Sequence, residues 1–241
     1  MSVSSTYKQA WEGFWGEAPQ EQGAVFWDAE PAVTVALHLA LFEPHLTAAG
    51  LPFVDLGCGN GTQTRFLADR FGKVLGTDLS GAAVAHARLS DPAEQAEYRQ
   101  LDAADKGETE QLHAELGDAN VYMRGVLHQC EQADRQPLVD NIATLLGTRG
   151  RAMVVEPAQS AGAVLRDIAQ GPAGPPPKLQ PVLRHGIAPG VVADEEVPEF
   201  VAAAGLTVHA SGHMPLTTTD FTADGTRIEL PSNWFVIGRA G

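Results

Sequence analysis

The segment Phe53-Val54-Asp55-Leu56-Gly57-Cys58-Gly59-Asn60-Gly61 limits the possible folds more than any other stretch of the chain. A short apolar run ends in three glycines at every second position, and a helical pattern with Phe66 and Leu67 inward follows from Thr62 to Phe71. Glycines in such a loop permit positive φ and let the backbone approach a ligand closely. A strand, a glycine loop and a helix open the first unit of an open α/β sheet. In such sheets ligands gather at the carboxyl ends of the strands.

The alternation continues along the chain. Lys73 to Thr77 reads as a strand ending at Asp78, Gly81 to Leu89 as a helix, Tyr98 to Leu101 as a strand ending at Asp102, and Thr109 to Leu116 as a helix. Asn120 to Met123 is a fourth strand, Arg135 to Leu146 a helix closed by Gly147 and Gly150, and Arg151 to Val155 a fifth strand ending at Glu156-Pro157. This pace implies right-handed crossovers and a doubly wound sheet.

The flanks read differently. Residues 1–30 are aromatic-rich (Tyr7, Trp11, Phe14, Trp15, Phe26, Trp27) and irregular. Pro31 then opens an amphipathic helix over 32–48 with Val33, Ala36, Leu37, Ala40 and Leu41 on one face. Together, 1–48 form an N-terminal cap or strap. Prolines crowd 158–193, notably Gly171 to Pro177, Pro181 and Pro189, and exclude a central strand or long helix. A loop of that length is either a lid inserted after the fifth strand or a surface insertion. Asp194 to Ala204 reads as a helix, Leu206 to Ser211 and Asn233 to Arg239 as an antiparallel excursion, and 215–231 as a polar connection.

Size and charge narrow the function. A chain of 241 residues, 44% hydrophobic, suffices for one core and a single domain. Its net charge of −14, from 16 basic and 30 acidic residues, disfavours nucleic acid and anionic membranes as partners. Cys58 and Cys130 form no ligand set with histidines, so no metal site is expected, and reduced thiols suit a cytoplasmic protein. The first 20 residues lack a signal-peptide pattern, and no apolar run approaches the ~20 residues of a membrane span.

The glycine string is not the dinucleotide fingerprint, whose sixth position is Gly or Ala. Counting from Gly57 or Gly59, that position holds Thr62 or Thr64. What is present is Asp55 leading Gly57, Gly59 and Gly61, with Asp78 and Asp102 at the next two strand ends. Over about residues 50–157 this resembles the class I S-adenosylmethionine-dependent methyltransferases of small-molecule type. The resemblance implies a Rossmann-like seven-stranded sheet of order 3-2-1-4-5-7-6, parallel except the last strand, with S-adenosylmethionine as cofactor. Asp78 is suited to accept from both ribose hydroxyls, Asp102 from the adenine amino group, and Asp55 to hold the methionine ammonium; Ala103 would offer its amide to a ring nitrogen. Leu79, Cys58 and Arg124 join the same cofactor set. Each of the three aspartates has a plainer alternative as a helix N-cap.

The acceptor side is less defined. Strand four ends in Met123-Arg124-Gly125-Val126-Leu127-His128-Gln129. His128 resembles the histidine found here in many small-molecule methyltransferases and is a candidate base for an acceptor hydroxyl; otherwise it packs or caps. Glu156 is a second catalytic candidate, or a cap of the turn that follows it. Trp15 is the chosen member of the aromatic strap, placed to cover a sulfonium by cation–π attraction, or else to pack on the first helix. His185 and His213 are weaker candidates. The adenine- or glutamine-modifying Asn/Asp-Pro-Pro-Tyr/Phe string is absent from strand four. The expected reaction is methyl transfer to a hydroxyl or amine of a small molecule, and a homodimer is compatible with it. Competing readings are a non-methylating rearrangement on the same cofactor, a nicotinamide oxidoreductase and a non-catalytic binding module.

Overall fold

A computed structural model describes residues 3–170, 174–187 and 190–240. Gly171, Pro172, Ala173 and Pro189 of the proline-rich stretch lie outside the described residues. The strands are β1 (Phe53–Leu56), β2 (Val74–Asp78), β3 (Glu97–Gln100), β4 (Asn120–Arg124), β5 (Arg151–Pro157), β6 (Thr207–His213), β7 (Leu216–Phe221), β8 (Arg227–Leu230) and β9 (Ser232–Gly238). The helices are α1 (Val3–Glu17), α2 (Val35–Phe42), α3 (Thr62–Phe71), α4 (Gly81–Leu89), α5 (Lys106–Leu116), α6 (Gln132–Leu146), α7 (Ala161–Gln170), α8 (Gln180–Arg184) and α9 (Glu196–Ala203).

Seven strands form one sheet in the order β3-β2-β1-β4-β5-β9-β6. β1 to β5 run parallel, and β9 is antiparallel to both β5 and β6. The expected sheet order and its one reversed strand are therefore present. Strand periodicity divides the core. Val54, Leu56, Val121 and Met123 face a layer with Leu138, Ile142 and Leu146 of α6 and Val197 and Val201 of α9. Phe53, Tyr122, Met153, Val155 and Val236 face Val35, Leu39 and Phe42 of α2 and Leu67 of α3. The site loops lie at the carboxyl edge between these layers.

Three expectations need correction. The N-terminal stretch is not irregular, because Val3–Glu17 forms a helix. Tyr7, Trp11, Phe14 and Trp15 fall at helical spacing, and Glu12 ties α1 to the start of α4 by accepting from Ser80 Oγ at 2.7 Å and Ala82 N at 3.1 Å. The helix read over 32–48 spans only Val35–Phe42, flanked by 3-10 turns. It buries Val35, His38, Leu39 and Phe42 while Leu37 is 46% exposed. A run almost wholly apolar has no polar face to orient it. Lastly, 215–231 is a hairpin of β7 and β8, whose Leu216, Ile228 and Leu230 pack with Phe26 and Ala161.

The proline-rich stretch contains α7 and the short α8 rather than loop alone. Lys178 fastens it to β7, its amide donating to Asp220 and its Nζ to the Thr219 carbonyl. Among the described residues no helix is long and apolar enough to cross a membrane.

Candidate cofactor and acceptor site

The loop after β1 adopts positive φ at Gly57 (78°), Gly59 (54°) and Gly61 (75°). All three positions also require the absence of a side chain, a Cβ on Gly61 falling 2.9 Å from the Tyr98 ring. A Cβ on Gly57 would lie 2.5 Å from Val126 Cγ2, and one on Gly59 would lie 2.9 Å from the Trp15 ring. The glycines thus bring the β4 turn and the α1 strap down onto the loop.

A cavity of about 480 Å³ opens over this loop. Trp15, Asp55, Gly57, Cys58, Gly59, Asp78, Leu79, Asp102, Ala103, Arg124 and His128 all line it. Two expected site residues do not. Gly61 N-caps α3 and packs against Tyr98 and Ala87. Glu156 is 1% exposed and lies behind the wall. His185 and His213 are also off the cavity, engaged with Glu17 and Asn233 respectively.

The loop's hydrogen bonds decide what ligand suits it. The amides of Gly57 and Cys58 both donate to the Thr77 carbonyl, at 2.8 and 2.9 Å. The Gly59 amide donates to Asp78 Oδ2 at 3.0 Å, and Ser80 N to Asp78 Oδ1 at 2.9 Å. These donors are spent within the protein, so a pyrophosphate would meet carboxylates where it needs N–H groups. Acceptors dominate instead: Asp28, Asp55, Asp78 and Asp102 line the cavity, with Arg124 among them. That set of acceptors fits a cationic, hydroxyl-bearing nucleoside and does not fit a dinucleotide.

Burial leaves two of these carboxyls poorly compensated. Asp55, 3% exposed, is pushed up to about 6 by burial, against the pull of the Thr64 hydroxyl at 2.6 Å and the Arg124 charge. Asp78 also rises to about 6 through burial, with Glu12 adding to it and the Ser80 and Gly59 amides opposing. Both would gain from a ligand that donates hydrogen bonds or brings positive charge. Asp102 accepts from the Ala104 amide, while Glu108 takes the Asp102 amide and so joins this strand end to α5.

Beyond the glycine loop the walls turn apolar. Trp11, Phe26 and Trp27 meet Leu165 of α7, Leu179 and Val182 around α8, and Leu216 and Leu230 of the hairpin. Trp27 stacks edge-on with Trp11 at 5.4 Å and Trp15 at 6.3 Å, and its carbonyl accepts from Arg124.

His128 is the main polar group on this side. Glu156 Oε1 accepts from the amides of Val126 and Leu127, both at 2.8 Å, and Oε2 contacts His128 Nδ1 at 2.9 Å. Glu156 therefore fixes the turn and the imidazole from behind. Sequence reasoning also missed Asp28, Gln63, Leu216 and Leu230 as cavity residues. Gln63 sits in the first turn of α3, where the glycine loop was a signal. Asp28 reaches the cavity by accepting from Asn60 Nδ2 at 2.7 Å, which no sequence pattern announces.

The methyltransferase domain family matches residues 53–150. No curated protein sequence matches the chain. Among solved structures, an S-adenosylmethionine-dependent methyltransferase from Anabaena variabilis is 29% identical, with a TM-score of 0.89 over all of this chain and 96% of that one. Magnesium protoporphyrin IX methyltransferase from Synechocystis with bound S-adenosylmethionine is 16% identical, with a TM-score of 0.62 over 100% and 98% of the two chains. Geranyl diphosphate methyltransferase in complex with geranyl diphosphate and sinefungin is 13% identical, with a TM-score of 0.62 over 97% and 99%. Its sheet order, its aspartate-led glycine loop and a cavity suited to a cationic nucleoside, together with the methyltransferase-domain match over residues 53–150 and the likeness to solved S-adenosylmethionine-dependent methyltransferases, support a class I S-adenosylmethionine-dependent methyltransferase.

Proposed function

We propose that this enzyme methylates a hydroxyl of a small, largely apolar molecule, with His128 as general base. The observation that carries this reading is His128, oriented by buried Glu156, at the wall of a cavity whose apolar lining includes Trp11, Phe26, Trp27, Leu165 and Leu216. S-adenosylmethionine supplies a methyl group on a sulfonium already activated toward attack and leaves as S-adenosylhomocysteine.

The chain's own groups hold and align. Asp78 takes the ribose hydroxyls, Asp102 and the Ala103 amide the adenine edge, and Leu79 a face of the ring. Gly57, Cys58 and Gly59 admit the methionine portion, Asp55 its ammonium and Arg124 its carboxylate. Trp15 covers the sulfonium side. Among the described residues, α1 and the segment through α2 cap the cofactor end, and α7 and α8 form a lid over the acceptor end, excluding water from the reacting centre. With Nδ1 held by Glu156, Nε2 is the ring nitrogen of His128 left to take the hydroxyl proton. The net charge of −14 favours a small molecule over nucleic acid, and the free thiols of Cys58 and Cys130 suit the cytoplasm.

The test is release of S-adenosylhomocysteine from a panel of apolar alcohols, phenols and amines. Hydroxyl acceptors should dominate, and His128→Ala should lower turnover by about 10²–10⁴-fold while calorimetric binding of S-adenosylhomocysteine persists. Amine-only turnover, or full activity in His128→Ala, refutes the assignment.

A further inference from the structure

We propose that Gln129 is a positioning residue that, under the control of Tyr7, occupies the place on His128 where the acceptor's hydroxyl binds. This rests on His128 being the base, as assigned above. Glu156 accepts from the backbone amides of Val126, Leu127 and His128, and at the 2.9 Å contact it accepts from Nδ1 as well, so the neutral imidazole keeps its lone pair on Nε2. The Gln129 carboxamide nitrogen lies 2.8 Å from Nε2 and donates to that lone pair. The oxygen of the same amide accepts from the Tyr7 hydroxyl at 3.0 Å. Burial also pushes the Tyr7 phenol up to about 12, so it remains a donor across the working pH range.

The order of groups is then Glu156 from β5, His128 and Gln129 from the 3-10 turn Leu127–Gln129, and Tyr7 from α1. Tyr7, Gln129 and His128 all line the cavity. Among the described residues, the backbone of His128 is held by Gly190, whose amide donates to the His128 carbonyl at 2.7 Å, and by Glu156, which accepts from the His128 amide.

Two consequences follow. The lone pair that would receive the acceptor's proton already has a donor, so a hydroxyl reaches Nε2 only by replacing the Gln129 N–H. Because Tyr7 fixes the other end of that amide, the position of α1 sets how readily Gln129 yields. The strap is thereby linked to the base as well as to the loop.

Long-range ¹H–¹⁵N NMR on the full chain saturated with S-adenosylhomocysteine tests this, the His128 ring signals being identified by their loss in His128→Gln. The unmodified chain should show one tautomer, with hydrogen on Nδ1 and Nε2 accepting. Gln129→Ala should shift the Nε2 resonance toward that of a free lone pair. The isosteric Gln129→Glu, which cannot donate, should bring a proton onto Nε2. Tyr7→Phe should shift Nε2 in the direction of Gln129→Ala, and should add nothing in a Gln129→Ala background. An Nε2 resonance insensitive to both changes at position 129, or additive effects of the two sites, overturns the proposal. Failure of the unmodified chain to bind S-adenosylhomocysteine by calorimetry counts instead against the functional reading beneath it.

Discussion

Replacing Asp55 by asparagine should make the protein harder to unfold while weakening its hold on the cofactor. Asp55 lies on β1 and faces the cavity floor, with Thr64 Oγ1 donating to one carboxylate oxygen at 2.6 Å. Burial raises its pKa from 3.8 to about 6. At about 1.4 kcal/mol per tenfold change in ionisation, that rise corresponds to about 3 kcal/mol of cost for carrying the charge in the folded state. The sign follows from linkage. Below 3.8 the group is protonated in both states and costs nothing. Between 3.8 and about 6 the folded state holds the extra proton, and stability declines as pH rises. Above about 6 the full cost is present. Asparagine keeps an oxygen for Thr64 and turns its NH2 toward the cavity. Urea denaturation at pH 8 should therefore show Asp55→Asn up to about 3 kcal/mol more stable than the parent. The gap should close as pH falls through about 6. Calorimetry should show weaker S-adenosylmethionine binding in the variant. A variant less stable than the parent at pH 8, or a gap that ignores pH, refutes the reasoning.

Cofactor affinity itself should fall as pH drops below about 6, by up to about tenfold per pH unit for each of Asp55 and Asp78, because both must be ionised to serve a cation; titration calorimetry from pH 5 to 8 reads this. Gly59→Ala sets a methyl group 2.9 Å from the Trp15 ring at φ 54°. It should cost about 1–3 kcal/mol of stability in urea denaturation and weaken cofactor binding by displacing the strap. Glu156→Gln keeps one oxygen for the Val126 and Leu127 amides but puts an NH2 where the His128 amide and Nδ1 need an acceptor, and should lower stability by about 1–3 kcal/mol, seen as a lower thermal midpoint. Trp11, Trp15 and Trp27 line the cavity and Trp234 does not, so the fluorescence change on adding S-adenosylhomocysteine should survive Trp234→Phe and shrink in Trp15→Phe.

The centre of the sheet was legible because β1, β2, β4 and β5 are short, largely apolar runs that alternate with helical patterns. Phe53–Leu56, Thr62–Phe71 and Gly81–Leu89 form where the pattern places them. The hairpin escaped notice because its buried face is largely threonine: Thr217, Thr218 and Thr219 are all under 9% exposed. Their hydroxyls are satisfied by backbone carbonyls such as those of Ile228 and Val25, a pairing that composition cannot reveal. The Asp224-Gly225 turn was the available signal. In the site, the strand-end aspartates were readable because topology alone brings them to one edge. The place of Glu156 was not, since it depends on the turn at 126–128 folding back beside β5. Gln129 likewise acquires its partner only because α1, 122 residues away in sequence, lies across the cavity.

The insertion of β9 between β5 and β6 has a consequence for how the molecule is made. A chain emerging from the ribosome completes β1 to β5 in sequence order, each new strand joining neighbours already present. β5 must then wait with one side unpaired while α7 to α9, β6 and the hairpin are synthesised, until Ser232–Gly238 arrives. That waiting edge, Ala152 to Val155, is wholly apolar. Such an edge invites association with other nascent chains. Overproduction should therefore lose material to aggregation during synthesis more than after it, and slower translation or chaperone coverage of the growing chain should raise the yield of folded enzyme.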